Sequence, residues 1–176
     1  IAGARALTDA EAQEAAGYFS RLGAQARLRV VESEWVPLTH VTGWILARAD
    51  ATGTEALGQR IVELPDDLEN YEHRDSRATF TAYVPRASIQ RGEALVRGED
   101  SARAPACATC HGKDLRGLEA RPSIAGRSPT YVFRQLYEIQ RGVRNGAGVQ
   151  PMKDAVARLS RDDMIAIAAY LGTLKP

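Results

Sequence analysis

Cys107-Ala108-Thr109-Cys110-His111 is the stretch on which the reading of this chain turns. It holds both cysteines of the sequence and one of its three histidines. The pattern is C-x-x-C-H, the spacing of a c-type haem attachment site. Two thiols at this spacing add across the two vinyl groups on one edge of a porphyrin, and the adjacent histidine lies under the iron. Covalent attachment lets a small chain hold a large apolar disc without a large core. On the motif alone three rival readings stay open. A thioredoxin-like C-x-x-C needs a strand before it and a helix after it, whereas Gly98 to Pro105 reads as a loop. A Cys₂His₂ zinc site needs a second pair of ligands, and only His40 and His73 remain, 33 residues apart. A disulfide between near neighbours leaves His111 unexplained.

Working outward, three helices flank the motif. The first runs from about Ser88 to Arg97, with Ser88 as N-cap, Gly92, Leu95 and Val96 on one face, and Gly98 as the stop. The second runs from about Pro129 to Arg141. Ser128 caps it, Pro129 suits its first position, and Gly142 follows it. Its apolar stripe is Val132, Phe133, Leu136 and Ile139. The third runs from Arg161 to about Leu174, opened by a capping box from Ser160 to Asp163. Met164, Ile167, Ala168, Leu171 and Leu174 line one side of it.

Helix, C-x-x-C-H loop, helix, loop with a methionine, helix: in this order the pieces resemble a class I c-type cytochrome domain over about residues 87–176. The likeness is to the C-terminal half of a tandem-domain dihaem cytochrome c. It is carried by Arg91-Gly92-Glu93-Ala94-Leu95, Cys107-Ala108-Thr109-Cys110-His111-Gly112, and Pro122 through Tyr131. Arg141-Gly142-Val143-Arg144, Met152, and Leu159 through Leu171 complete it. The resemblance implies one covalently bound haem c with its iron, thioethers at Cys107 and Cys110, and His111 as proximal ligand. It implies Met152 as distal ligand and the Pro122 carbonyl as acceptor for the proximal imidazole. Arg127, Tyr131 and Arg144 join the haem-binding set, with Arg127 or Arg144 toward the propionates. The sequence itself narrows the methionine. There are two, and Met164 lies on the apolar stripe of the last helix as core filler. Met152 follows the glycine-rich Gly146-Ala147-Gly148, and His40 or His73 is its rival as distal ligand.

The first half carries an echo of the second. Leu7-Thr8-Asp9-Ala10-Glu11 with Ala16-Gly17-Tyr18-Phe19 and Leu22 matches Leu159 to Leu174 at a constant offset of 152. The expected fold is therefore mainly α: a cytochrome c-like domain at 87–176, preceded by a helix at 1–23 and a mixed, partly irregular segment at 24–86. The helix resembles the tail of an earlier cytochrome domain, whose ligands would all lie upstream. The middle segment should pack on the haem domain, because about 60 residues is long for a plain linker. Short strands are expected at Leu28–Val31, Glu34–Val36 and Gly43–Ala47. Turns are expected at Pro65–Asp67 and His73–Asp75. Trp35 and Trp44 suit the core of a small subdomain.

Composition narrows the function. The 176 residues hold 23 basic and 22 acidic side chains, a balance that argues against a nucleic-acid binder. No apolar run approaches the roughly 20 residues needed to cross a bilayer. The halves differ: residues 1–86 carry 9 basic and 13 acidic groups, and residues 87–176 carry 14 and 9. A His/Met iron has no open site for substrate, so the resemblance implies electron transfer and not an enzyme. Donor and acceptor would be redox proteins, with an acidic docking surface facing the basic half. Two alternatives stand beside this: a cytochrome subunit of a larger dehydrogenase or oxidase complex, or a five-coordinate haem enzyme or sensor if Met152 is not a ligand. The resemblance also implies a periplasmic location. Ile1 to Arg5 shows no apolar segment of a signal peptide.

Overall fold

The computed structural model describes residues 6–23, 25–49 and 52–176; the Ile1 to Arg5 reading lies outside them. Helix α1 (Asp9–Arg21) comes first, followed by a β-rich segment. That segment contains β1 (Leu28–Glu32), β2 (Trp35–Pro37), β3 (Thr39–Thr42), β4 (Ile45–Arg48), β5 (Thr54–Ala56), β6 (Val62–Pro65), α2 (Leu68–Glu72) and β7 (Phe80–Val84). The helical half follows: α3 (Ser88–Arg97), α4 (Ala108–His111), α5 (Pro129–Gln140), α6 (Gln150–Val156) and α7 (Arg161–Thr173). A mainly α chain with a mixed insert is therefore observed.

The crossing of α3 on α7 organises the helical half. At the crossing Gly92 lies so close to α7 that a Cβ would sit 1.9 Å from the Ala166 carbonyl oxygen. Only hydrogen fits there. The approach aligns Arg91 with Asp163, whose side chain is 1% exposed. Asp163 accepts from Arg91 and from Arg103 of the loop before Cys107, and closes the capping box of α7 with Ser160. One carboxylate thus joins two helices and a loop.

Helix α7 is buried on nearly every side, not on one stripe: Ile165, Ala166, Ala169 and Gly172 are covered as well as Met164, Ile167, Ala168 and Leu171. The extra cover comes from β1. A Cβ on Gly172 would meet both Val30 of β1 and Pro129 of α5 within 3 Å. A helix apolar all round is a buried one, and α7 lies between α3, α5 and β1.

The β segment is more ordered than the sequence suggests. β1 runs parallel to β7, which pairs antiparallel with β6; β3–β4 form a hairpin and β2 pairs with β5. Pro65, expected in a turn, ends edge strand β6, where its missing N–H costs no ladder bond. Strands β3, β5, β6 and β7 and helix α2 have no counterpart among the elements expected from the sequence. Trp35 and Trp44 are not core: they are 59% and 84% exposed. The small core is aliphatic instead, built from Val36, Leu57, Val62 and Leu64.

Two carboxylates fasten this segment to the helices. Ser88 was expected as the N-cap of α3, but the cap position is Ala87 at φ 60°, without a side-chain bond. Glu32 of β1 takes the cap's role by accepting from the Ile89 N–H at 2.8 Å. At α5, Ser128 caps as expected and also donates to Glu63 of β6 at 2.7 Å. Gly98 and Gly142 follow α3 and α5 at positive φ, as the sequence reading has them.

Helix α1 repeats α7 closely. Both span 13 residues, both open on a complete capping box, and both end on an extended leucine, Leu22 and Leu174. Their environments differ: α1 buries no residue, and Tyr18, Phe19 and Leu22 lie exposed.

Asp163 should govern acid stability. Burial raises its pKa, but the bonds from Arg91 and Ser160 outweigh burial and hold it below the ordinary carboxylate range. A depressed folded pKa contributes stability above about pH 4 that is lost as pH falls through the folded value. Asp163→Asn should cost about 2 kcal/mol at pH 7 in urea unfolding. The gap to wild type should close below pH 4, and a pH-independent gap would contradict this role.

Candidate haem-binding site

The C-x-x-C-H motif hangs from the end of α3. The Cys107 N–H donates to the Val96 carbonyl at 2.9 Å, and the His111 N–H donates to the Cys107 carbonyl at 2.9 Å. The motif is one helical turn, and a helix and a loop, not a strand, lead directly into it. This removes the thioredoxin-like arrangement. Both thiols are free and half-buried. Burial pushes the Cys107 thiol up to about 11, so it stays protonated at neutral pH. Among the described residues no group of three or more His, Cys, Asp or Glu could hold a metal ion. His40 lies on β3 and His73 ends α2, both in the β segment.

His111 is 8% exposed. Its Nδ1 lies 2.9 Å from the Pro122 carbonyl oxygen. A carbonyl only accepts, so Nδ1 is the donor, which selects the tautomer whose lone pair lies on Nε2. The loop between the two residues folds back to make this contact. Ile124 and Ala125 N–H groups both donate to the Leu115 carbonyl, and Leu118 bridges Arg121. A buried imidazole with Nδ1 tied to a carbonyl and no hydrogen bond at Nε2 among the described residues is poised as a metal ligand.

Met152 was expected in a glycine-rich loop. Instead Ala147–Val149 forms a 3₁₀ turn and Met152 lies in the first turn of α6, after Pro151. Pro151 suits a first turn, where a missing N–H leaves no bond unmade. Met152 is half-buried against the main core, as are Cys107, Ile124, Phe133 and Val149. Met164 is fully buried in that core. Gln140, which the sequence reading passed over, fixes the end of α6. Its side-chain amide donates to the Val156 and Leu159 carbonyls, both at 2.8 Å. A glutamine at the end of a helix carries no sequence signal for such a tie.

The remaining candidates are more dispersed. The Arg127 Nε donates to the Ser123 carbonyl at 3.2 Å, and Arg127 lines a recess of about 430 Å³ with Gln25, Arg116 and Ser123. Arg144 folds back onto the Gln135 side chain of α5. Tyr131 is exposed on α5, under the Arg134 guanidinium. Cys107, Cys110, His111 and Pro122 thus form one cluster, Met152 borders the same core, and the two arginines and Tyr131 lie on the surface. The thiol pair, the free imidazole nitrogen and the apolar wall fit a covalently attached haem.

Comparisons with known proteins point the same way. Residues 88–171 match the family model described as cytochrome C oxidase, cbb3-type, subunit III. The chain is 31% identical over 130 residues to cytochrome c4 of Azotobacter vinelandii, covering 66% of this chain and 62% of that protein. It is 35% identical over 74 residues to cytochrome c-554(548) of Halomonas halodenitrificans, covering 42% of this chain and 87% of that protein. A thiosulfate dehydrogenase electron acceptor of Stutzerimonas stutzeri is 39% identical over 77 residues, 43% of this chain and 34% of that one. The chain therefore spans about 62% of the length of the cytochrome c4 relatives it matches.

The Gln140 tie predicts local behaviour. Gln140→Leu should leave the Leu159 carbonyl without its donor and the Val156 carbonyl with the Leu159 N–H alone, and speed amide exchange across residues 147–159 at least tenfold. Exchange in α3 and α7 should stay unchanged.

Proposed function

The chain belongs to the c-type cytochromes, whose cofactor is covalently bound haem c with iron, and on that premise we propose that it is a periplasmic electron carrier. It would hold one haem through Cys107 and Cys110, with His111 and Met152 as axial ligands. When bound, the haem supplies a one-electron ferric/ferrous couple. The chain's own residues do the rest. The Pro122 carbonyl orients His111 and adds to the basicity of its free nitrogen. Gln140 holds α6, and with it Met152, against the core. Ile124, Phe133, Val149 and Met152 would offer the group an apolar lining, and a thioether ligand in such a setting would raise the potential. With His111 and Met152 both holding the iron, no position would be left for a substrate, and the group would supply electron exchange, not bond-making catalysis. The buried His111 beside two free thiols carries this reading. Arg127, Arg144 and Tyr131 belong to its outer part, with the arginines toward the propionates.

The domain reading also stands as a proposal: 87–176 as the haem domain, 24–86 as a connecting segment packed on it, and 1–23 as the tail of an earlier cytochrome domain. Support for the last comes from the matched capping boxes of α1 and α7 and from α1's uncovered apolar side chains. A C-x-x-C-H encoded upstream in the gene is the expected finding.

A second reading makes the chain a fixed subunit of a dehydrogenase or oxidase complex, favoured by the oxidase-subunit description of the matching family model. Co-purification of a constant partner through gel filtration selects it over a free carrier.

Intact mass should show one haem added to the chain, and Cys107→Ala/Cys110→Ala should abolish the covalent adduct. Oxidised and reduced spectra should be low-spin in both states. Met152→Ala should leave the mass added by the haem unchanged, lose the thioether spectrum and admit CO; a wild-type protein that binds CO rapidly contradicts the assignment of Met152. Because residues 87–176 are net basic, electron exchange with an acidic redox partner should slow about tenfold between 20 and 300 mM salt. A salt-independent rate contradicts electrostatic docking on this half.

A further inference from the structure

Trp44 stands 84% exposed at the tip of the β3–β4 hairpin. It is nevertheless fixed: the indole Nε1–H donates to the Tyr71 hydroxyl at 2.8 Å. Tyr71 meets Phe80 edge to face, with centroids 5.8 Å apart. Trp44, Tyr71 and Phe80 line an open cleft of about 620 Å³ between the hairpin tip and the end of α2. Val41, three residues before Trp44, is 72% exposed. Anchored Trp and Tyr side chains are the residues that dominate binding hot spots. A ring already held by a hydrogen bond loses little freedom when it is covered.

The charge around the cleft is mostly negative. Residues 66–77 hold Asp66, Asp67, Glu69, Glu72 and Asp75 against two arginines, Arg74, which lines the cleft, and Arg77. Three of the acids have internal tasks. Asp66 accepts from Thr79 and Thr81, and Asp67 caps α2. Asp75 is bound by Arg77, which holds its carboxyl down at about 2. Glu69 and Glu72 form no ion pair among the described residues, so their charge faces outward. An aromatic centre with a negative rim repels anionic lipid and attracts a cationic surface.

We propose that the Trp44 tip and the acidic side of α2 form a docking site for a basic protein: a lysine- and arginine-rich patch whose apolar centre seats on the indole. The site does not depend on the haem reading, so it can fail while that reading stands. The sequence contains two tryptophans, which makes the indole N–H resonances of the reduced holoprotein a direct reporter. A lysine-rich mitochondrial cytochrome c, also reduced, serves as the basic probe and an acidic ferredoxin as the counter-probe. The Trp44 resonance should shift saturably with the basic probe at about 20 mM salt and return at about 500 mM. Trp44→Ala, and Glu69→Gln with Glu72→Gln, should each weaken binding tenfold or more, measured by calorimetry. Trp35→Ala should not, and the exposure of all these side chains keeps the variants folded. Three results overturn the proposal. One is a Trp44 resonance that ignores the basic probe or answers the acidic one equally. Another is a shift produced by phosphatidylcholine vesicles, which makes the tip a membrane contact. The last is the same shift on concentrating the protein alone, which makes the occupant a second copy.

Discussion

The close passage of α3 over α7 is the constraint on which the rest of the helical half depends. It exists because Gly92 has no side chain at the point where the Ala166 carbonyl arrives. From that contact two lines run to the attachment motif. One is backbone: α3 ends at a fixed place, and its Val96 carbonyl receives the Cys107 N–H. The other is electrostatic: Asp163, buried at the start of α7, holds Arg91 of α3 and Arg103 of the loop before Cys107. The thiols and His111 are thereby positioned by helix packing instead of by a large core around the motif.

The β segment is part of the same construction. Glu32 and Glu63 place carboxylates at the N-termini of α3 and α5, where unpaired N–H groups and the helix dipole favour negative charge. Val30 closes the otherwise open side of α7 at Gly172. These contacts explain why α7 can be apolar around its whole circumference. They also fix the β1–β7–β6 sheet relative to the helices.

Much of the site was legible in the sequence because its chemistry is local. C-x-x-C-H occupies five consecutive residues, and capping boxes, N-terminal Pro129 and terminal glycines mark helix ends within a few positions. Pro122, eleven residues from His111, could be assigned only through the family resemblance, since nothing in the sequence shows that the intervening loop folds back. Met152 is expected in a loop from its glycine-rich surroundings, yet it lies in a helix. Pro151 and the residues after it continue into a helix once the core covers that side. The tryptophans misled because large aromatic side chains usually bury, and burial is a property of the whole fold.

The sequence by itself determined the local elements: the attachment turn, the helices with their caps, the doubled helix pattern and the division of charge. Each is written in residues at fixed short spacing, so neighbouring chemistry suffices to specify it. Only the tertiary structure decided which groups far apart in the chain meet. It paired Glu32 with Ile89, Glu63 with Ser128, Gln140 with two distant carbonyls, and β1 in parallel with β7. Those contacts depend on which surfaces the packed helices leave open, and no spacing within the sequence encodes that.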